Sequence, residues 1–180
     1  MNAAHLHLMV NHLPLFAALF AGALLAVGLL RKLRHRGAEL SRAVEWFEQA
    51  VALDPEFALA HAGLAEAYTR QAFLRAVERG EVLGKARAAV DRALELDKSS
   101  GRAYYELGIL LNRQGKQADA ETALSKAVQK SPNESRFWYT YGEIFRVQQR
   151  FEEAISAYRK AVDLDPPYPK AVAKLGLLLV

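Results

Sequence analysis

The chain of 180 residues contains no cysteine, carries a net charge of +4 and is 24% charged. Its 32 alanines and 27 leucines, against 11 glycines and 6 prolines, speak for helix and against an all-β fold. The lack of cysteine excludes a disulfide scaffold, a thiolate nucleophile, an iron–sulfur cluster and the usual structural zinc sites.

The whole net charge comes from Arg31, Lys32, Arg34 and Arg36, since residues 37–180 hold 20 basic and 20 acidic side chains. A balanced body with one basic cluster does not make a nucleic-acid face, and no nucleic-acid partner is expected.

Residues 1–12 are read as a short non-cytoplasmic N-terminus that holds three of the five histidines, His5, His7 and His12. On one continuous helix His5 and His12 share a face, which opens an alternative function as a haem- or metal-binding membrane protein. Asn11 and Pro14 interrupt such a helix, so no metal or cofactor is assigned.

Residues 13–30, LPLFAALFAGALLAVGLL, form an 18-residue run without charge. At about 1.5 Å per residue this is roughly 27 Å of helix, close to the hydrocarbon thickness of a bilayer. Pro14 suits the first turn of a transmembrane helix, and the basic juxtamembrane segment 31–37 follows the run, where a cleaved signal peptide would carry its charge before it. The positive-inside rule then sets a single pass, with the N-terminus outside and everything after Arg31 in the cytoplasm. The opening residues, about the first 30, also resemble small bacterial membrane proteins of unassigned function with a His-Leu-His-Leu and Asn-His-x-Pro pattern, a resemblance that carries no function across, and the membrane expected is a bacterial inner membrane.

The remainder repeats. Gly108, Gly142 and Gly176 lie 34 residues apart, preceded by Leu107, Tyr141 and Leu175. On that period Tyr104 matches Trp138 and Val172, and Leu111 matches Phe145 and Leu179. Ala120 matches Ala154, Leu124 matches Tyr158, Ala127 matches Ala161, and Pro132 matches Pro166. The fourth, seventh, eighth and eleventh residues of a unit share one stripe of a first helix, with glycine where a neighbour comes close. A second helix repeats alanine seven residues apart around one bulky residue, and proline ends it. Hairpins are expected over 101–134 and 135–168, with residues 169–180 as the first helix of an incomplete unit. Residues 58–100 make an elongated unit whose extra residues lengthen both helices about Gly80, and 38–57, with Ala43, Phe47, Ala50 and Pro55, a capping half-repeat.

This series resembles the tetratricopeptide repeat family, whose 34-residue helix-turn-helix unit carries the same large, small and terminating positions. The resemblance implies an all-α, right-handed α-solenoid after the transmembrane helix. It also implies a protein or peptide partner held on the concave face that the first helices line. The second, fifth, ninth and twelfth residues of each unit form a stripe away from the packed one. They are Arg102, Tyr105, Ile109 and Asn112, with Arg113 beside them, then Arg136, Tyr139, Glu143 and Arg146. In the long unit Glu66 and Arg70 contribute. Arginine with tyrosine suits a binding face, and the basic excess points to an acidic partner. Chaperone-binding family members carry Lys and Asn at the fifth and ninth places, where this chain has Tyr105 with Ile109 and Tyr139 with Glu143, so capture of a chaperone's terminal carboxylate is not expected.

No phosphate-binding glycine loop, HExxH or G-x-S-x-G motif occurs, and no enzyme activity is expected. The reading is a membrane-tethered adaptor. Its last helix, KAVAKLGLLLV, is expected to pack through Val172, Leu175, Gly176 and Leu179 and to leave Leu177, Leu178 and Val180 outside, an apolar edge belonging to a longer solenoid or to self-association.

Overall fold

The computed structural model describes residues 37–74 and 79–179, the side chains of 73, 74 and 79 excepted. The chain divides into two compact units, Met1–Glu39 and Leu40–Val180. Nearly all of the first, including His5, His7, His12 and the apolar run 13–30, lies outside the described residues. Among the described residues no helix is long and apolar enough to cross a membrane.

Among its described residues the second unit is built from helices. After α1 (37–53) come α2 (Ala58–Leu74), α3 (Arg79–Leu96), α4 (Gly101–Arg113), α5 (Gln117–Lys130), α6 (Ser135–Val147), α7 (Phe151–Leu164) and α8 (Pro169–Leu178). Consecutive helices α2 and α3, α4 and α5, and α6 and α7 pack as hairpins, and α2 also touches α4. The terminating residues act as their chemistry dictates. Helix α5 stops two residues before Pro132, α7 two before Pro166 and α1 two before Pro55, and Lys98 takes the same place after α3. Ser100 caps α4 by accepting the Ala103 backbone N–H.

The repeated glycine is where the two helices of a hairpin meet. A Cβ on Gly108 would lie 2.6 Å from Cγ of Leu124 and 3.3 Å from the Ala120 carbonyl oxygen. On Gly142 it would lie 2.7 Å from the Tyr158 ring and 3.3 Å from the Ala154 carbonyl oxygen. Leu124 and Tyr158 are fully buried, and Ala120, Ala127, Ala154 and Ala161 flank them without exposure. The hairpins α4–α5 and α6–α7 therefore each close on one large side chain seated in the gap left by glycine, with alanines setting the distance.

Trp138 donates its indole N–H to the Pro132 carbonyl at 2.7 Å. His61, in the corresponding place of the long unit, is buried with Nε2 3.0 Å from the Pro55 carbonyl. The histidine thus stands in for tryptophan as a bulky side chain with one polar handle.

Two expectations are corrected. Gly80 does not mark the turn of the long unit, because it is the second residue of α3, and α2 and α3 are 17 and 18 residues long against 13 and 14 in the next hairpin. In α8 the residues that pack on α7 are Ala171, Leu175 and Leu178, whereas Val172 and Leu179 are exposed with Leu177. Positions 171, 175 and 178 form the stripe toward the preceding hairpin, and 172, 176 and 179 the stripe that faces a hairpin's own second helix.

The turns between helices share one left-handed residue, Gly115 at φ +76° and Gln149 at φ +62°. Glycine holds this conformation without strain and glutamine does not. Gln149→Gly should raise unfolding stability by about 0.5–1 kcal/mol, read from urea midpoints. Gly108→Ala should cost about 1–3 kcal/mol by overpacking, while Gly176→Ala, with nothing within 4 Å of its Cβ, should leave the melting temperature unchanged.

Candidate functional site

The first helices bring their polar stripe to one face, and its centre is Glu66 on α2. The Glu66 carboxylate accepts from Arg70 Nη2 at 2.5 Å, Arg102 Nη2 at 2.7 Å and Arg136 Nη1 at 2.8 Å. These guanidiniums come from α2, α4 and α6, so one acid 36 and 70 residues away in sequence joins three successive first helices. Burial by itself pushes the Glu66 carboxyl up, but the hydrogen bonds and charges of Arg136 and Arg102, with the charge of Arg70, outweigh it and hold the group at about 2.

Tyr105 is not on the open surface. Its ring stacks on Phe137 at 4.5 Å, Arg136 lies over it at 4.7 Å, and its hydroxyl meets Thr140 Oγ1 at 3.2 Å. Burial raises the Tyr105 hydroxyl above its ordinary range. Tyr105 therefore orients Arg136 from beneath, and Ile109 packs against the same core. Asn112 and Arg113 are exposed toward the end of α4.

A second cluster forms one helix further on. Glu143 accepts from Arg146 Nε at 3.2 Å and Nη2 at 3.1 Å, receives the buried Tyr158 hydroxyl, and faces Lys174 Nζ at 3.7 Å. Burial raises the Glu143 carboxyl, and the bonds from Arg146 and Tyr158 with the Arg146 and Lys174 charges bring it below its usual value. Tyr139 tilts against Tyr158 at 5.7 Å and Tyr168 at 5.5 Å. Both clusters hold more cations than carboxylates.

Sequence spacing did not single out Glu106, Tyr158, Tyr168 or Lys174. Glu106 sits four residues after Arg102, a spacing that reads as an ordinary exposed helix pair, yet it is only 2% exposed. Burial and the Glu66 charge push its carboxyl up to about 7, against the pull of Arg136, Arg102 and Arg70. Beside this cluster Thr69 Oγ1 and Arg102 Nε are buried without a hydrogen-bond partner. Two surface grooves run along α5 and α7, lined among others by Tyr141 and by Trp138, and neither takes in a residue of the two clusters. Among the described residues no three His, Cys, Asp or Glu side chains are placed to hold a metal ion, and His5, His7 and His12 are outside those residues.

The repeat geometry agrees with comparison to known proteins. The sequence profile of the tetratricopeptide repeat matches residues 70–135 and 118–169, more than half of the chain. The chain belongs to the tetratricopeptide repeat family. No curated protein matches it. Among solved structures it is similar to TTC0263, a thermophilic tetratricopeptide protein of Thermus thermophilus, at TM-score 0.69 and 21% identity, covering 79% of this chain and 74% of that one. It is similar to MamA at TM-score 0.60 and 22% identity, covering 82% and 80%. The first tetratricopeptide domain of Spaghetti (RPAP3), solved with the HSP90 peptide SRMEEVD, matches at TM-score 0.58 and 20% identity, covering 68% of this chain and 90% of that domain. At these identities the likeness is one of fold, an all-α tetratricopeptide solenoid. Proteins of this kind generally serve as non-enzymatic scaffolds in protein–protein interaction.

Glu106 makes a pH test possible. Its folded carboxyl, at about 7, lies above the ordinary 4.5 that it has when unfolded. As pH rises from 4.5 to 7 the unfolded chain releases this proton first, so stability falls by about 3 kcal/mol. Glu66, held at about 2, has the opposite sign: its contribution is present above 4.5 and lost as pH falls toward 2. Glu106→Gln should therefore stabilise the protein more at pH 8 than at pH 5 in urea unfolding. An equal effect at both would place the Glu106 charge in solvent.

Proposed function

We propose that the chain is a membrane-tethered scaffold that holds a protein partner by an acidic segment laid along the concave face of the solenoid. The observation that carries the reading is the charge imbalance around Glu66, where three guanidiniums meet one strongly ionised carboxylate. Arg146 and Lys174 around Glu143 repeat it. An incoming carboxylate meets preorganised donors here, and Tyr139 and Tyr168, both half-buried, offer apolar area beside them. The binding residues are Glu66, Arg70, Arg102, Arg136, Tyr139, Glu143 and Arg146, with Tyr105 and Ile109 supporting them from below and Asn112 and Arg113 at the rim.

The tether rests on the uncharged run 13–30 and its basic flank 31–37. The acidic peptide in the Spaghetti (RPAP3) domain supports the general mode of capture. The residues at the fifth and ninth places, Tyr105 with Ile109 and Tyr139 with Glu143, differ from those of chaperone-binding members. The partner is thus an internal acidic and aromatic segment, not a chaperone tail.

Reversing charge at Arg102 and Arg136 is a poor test, because new carboxylates would face Glu66 and the buried Glu106. The neutral pair Arg102→Gln with Arg136→Gln is cleaner, checked for folding by circular dichroism. The probe is a fluorescent extended peptide carrying two glutamates and a tyrosine, titrated into the full chain in detergent. The double variant should weaken binding about tenfold or more, roughly 1.4 kcal/mol. Replacing the peptide glutamates by glutamine should do the same, and the affinity should fall with salt. Equal binding of a lysine-substituted peptide would sink the proposal.

A further inference from the structure

Glu106 occupies a place in the repeat that no other unit fills with an acid. Gly63, Thr140 and Lys174 stand there in the remaining units. On α4 it lies between Ala103 and Leu110, on the stripe that packs against the preceding hairpin, with Ala103 against Ala62 and Ala93, and Leu110 in the cluster of Ala65, Tyr68 and Val90. The carboxyl is thereby carried into a seam between apolar contacts, and the residue is 2% exposed. In the next unit Thr140 donates to the Arg136 carbonyl and meets the Tyr105 hydroxyl. Among the described residues Glu106 has no such hydrogen bond and no ion pair.

Four charged groups face it. Helix α2 supplies Glu66 and Arg70, α4 itself Arg102, and α6 Arg136, the same set that forms the first polar cluster. Helix α3 contributes Val90, Ala93 and Leu94, while its ion pairs Glu81 with Lys85, Arg87 with Asp91 and Arg92 with Glu95 lie in water. Helix α5 packs on another stripe of α4, where Leu124 meets Gly108. With Glu106 ionised, two carboxylates stand against the three guanidiniums, and with Glu106 protonated Glu66 stands alone against them. The proton on Glu106 therefore sets how strongly this face attracts an anion.

We propose that Glu106 couples capture of an acidic segment on this face to uptake of a proton, so that the segment is held tightly while Glu106 is protonated and less tightly once it ionises. The inference rests on the peptide-binding reading of the same face and adds its regulation. Linkage gives the sign. An anion resting on Arg102 and Arg136 engages their charge and brings its own, which disfavours a further buried carboxylate, and by reciprocity protonation of Glu106 favours the anion. Burial and the Glu66 charge raise the Glu106 carboxyl to about 7, so its change of state falls across neutral pH. Glutamate and tyrosine side chains of an exposed peptide keep one state in that range.

The test is calorimetric titration of the full chain in detergent with the peptide of two glutamates and a tyrosine, at pH 7 in phosphate and in imidazole buffer, whose ionisation heats differ. The two buffers should give different binding heats, corresponding to uptake of a measurable fraction of one proton. Affinity should be about fivefold or more higher at pH 6 than at pH 8.5. Glu106→Gln, an uncharged side chain of the same shape, should bind the peptide equally at both pH values and with equal heats in both buffers. A second readout needs no substitution: with glutamate carboxyls labelled by carbon-13, the one signal that titrates near neutral pH should titrate at higher pH when the peptide is bound. Equal heats in the two buffers for the unsubstituted chain, an unmoved carboxyl titration, or a pH dependence that Glu106→Gln retains in full would each overturn the coupling while leaving the binding face intact. Failure of the unsubstituted chain to bind the peptide at either pH would overturn the reading of the face, and this inference with it.

Discussion

One spatial constraint governs the regular repeat unit: the hairpins α4–α5 and α6–α7 close where a large side chain finds a position without a Cβ opposite it. Leu124 over Gly108 and Tyr158 over Gly142 meet that condition, and the alanines beside them let the helix axes approach closely. Because the condition recurs after 34 residues, the hairpin α6–α7 stacks on α4–α5 in the same register, and their first helices come to share one face. The polar site exists only because of that stacking. Arg102 and Arg136 lie 36 and 70 residues from Glu66, and no local interaction would bring them together.

The Glu66 cluster serves the fold and the site at once. A carboxylate that is half withdrawn from water and bound by three guanidiniums is held ionised, and it fixes the relative placement of α2, α4 and α6. Burial raises Glu106 as it raises Glu66, but Glu106 has the Glu66 charge beside it and so keeps its proton to higher pH. Exclusion of water raises both glutamates and the arginines lower both, and the balance differs: hydrogen bonds from Arg136 and Arg102 carry Glu66 down, while burial and the Glu66 charge carry Glu106 up. An excess of cationic groups remains on this face. Tyr105 supports this face from the core, carrying Arg136 on its ring.

The same rule that closes the hairpins explains the two exposed ends. Gly176 and Leu179 are suited to a second helix, and α1 is a second helix whose outer face carries Trp46. Inside a hairpin those positions are covered by the neighbouring chain segment. At the ends of the described array Trp46 and Leu179 are exposed instead.

The sequence alone determined the all-α class, the period, the large-on-small pairing and the proline stops. These depend on residues within one or two turns of each other, and spacing reports them directly. It also placed Glu66, Arg102 and Arg136 on one helical stripe, because helix geometry assigns faces without knowledge of neighbours. Spacing could not separate Tyr105, stacked under Arg136, from Tyr139, nor tell that Glu106 is buried, since burial depends on how far the adjacent helix overlaps each position. Nor could it choose which stripe of α8 packs, because Val172, Leu175, Leu178 and Leu179 are equally apolar and only the position of α7 distinguishes them. The convergence of three arginines on one carboxylate was decided by tertiary structure alone, because charge pairing across helices depends on distances that no single helix contains.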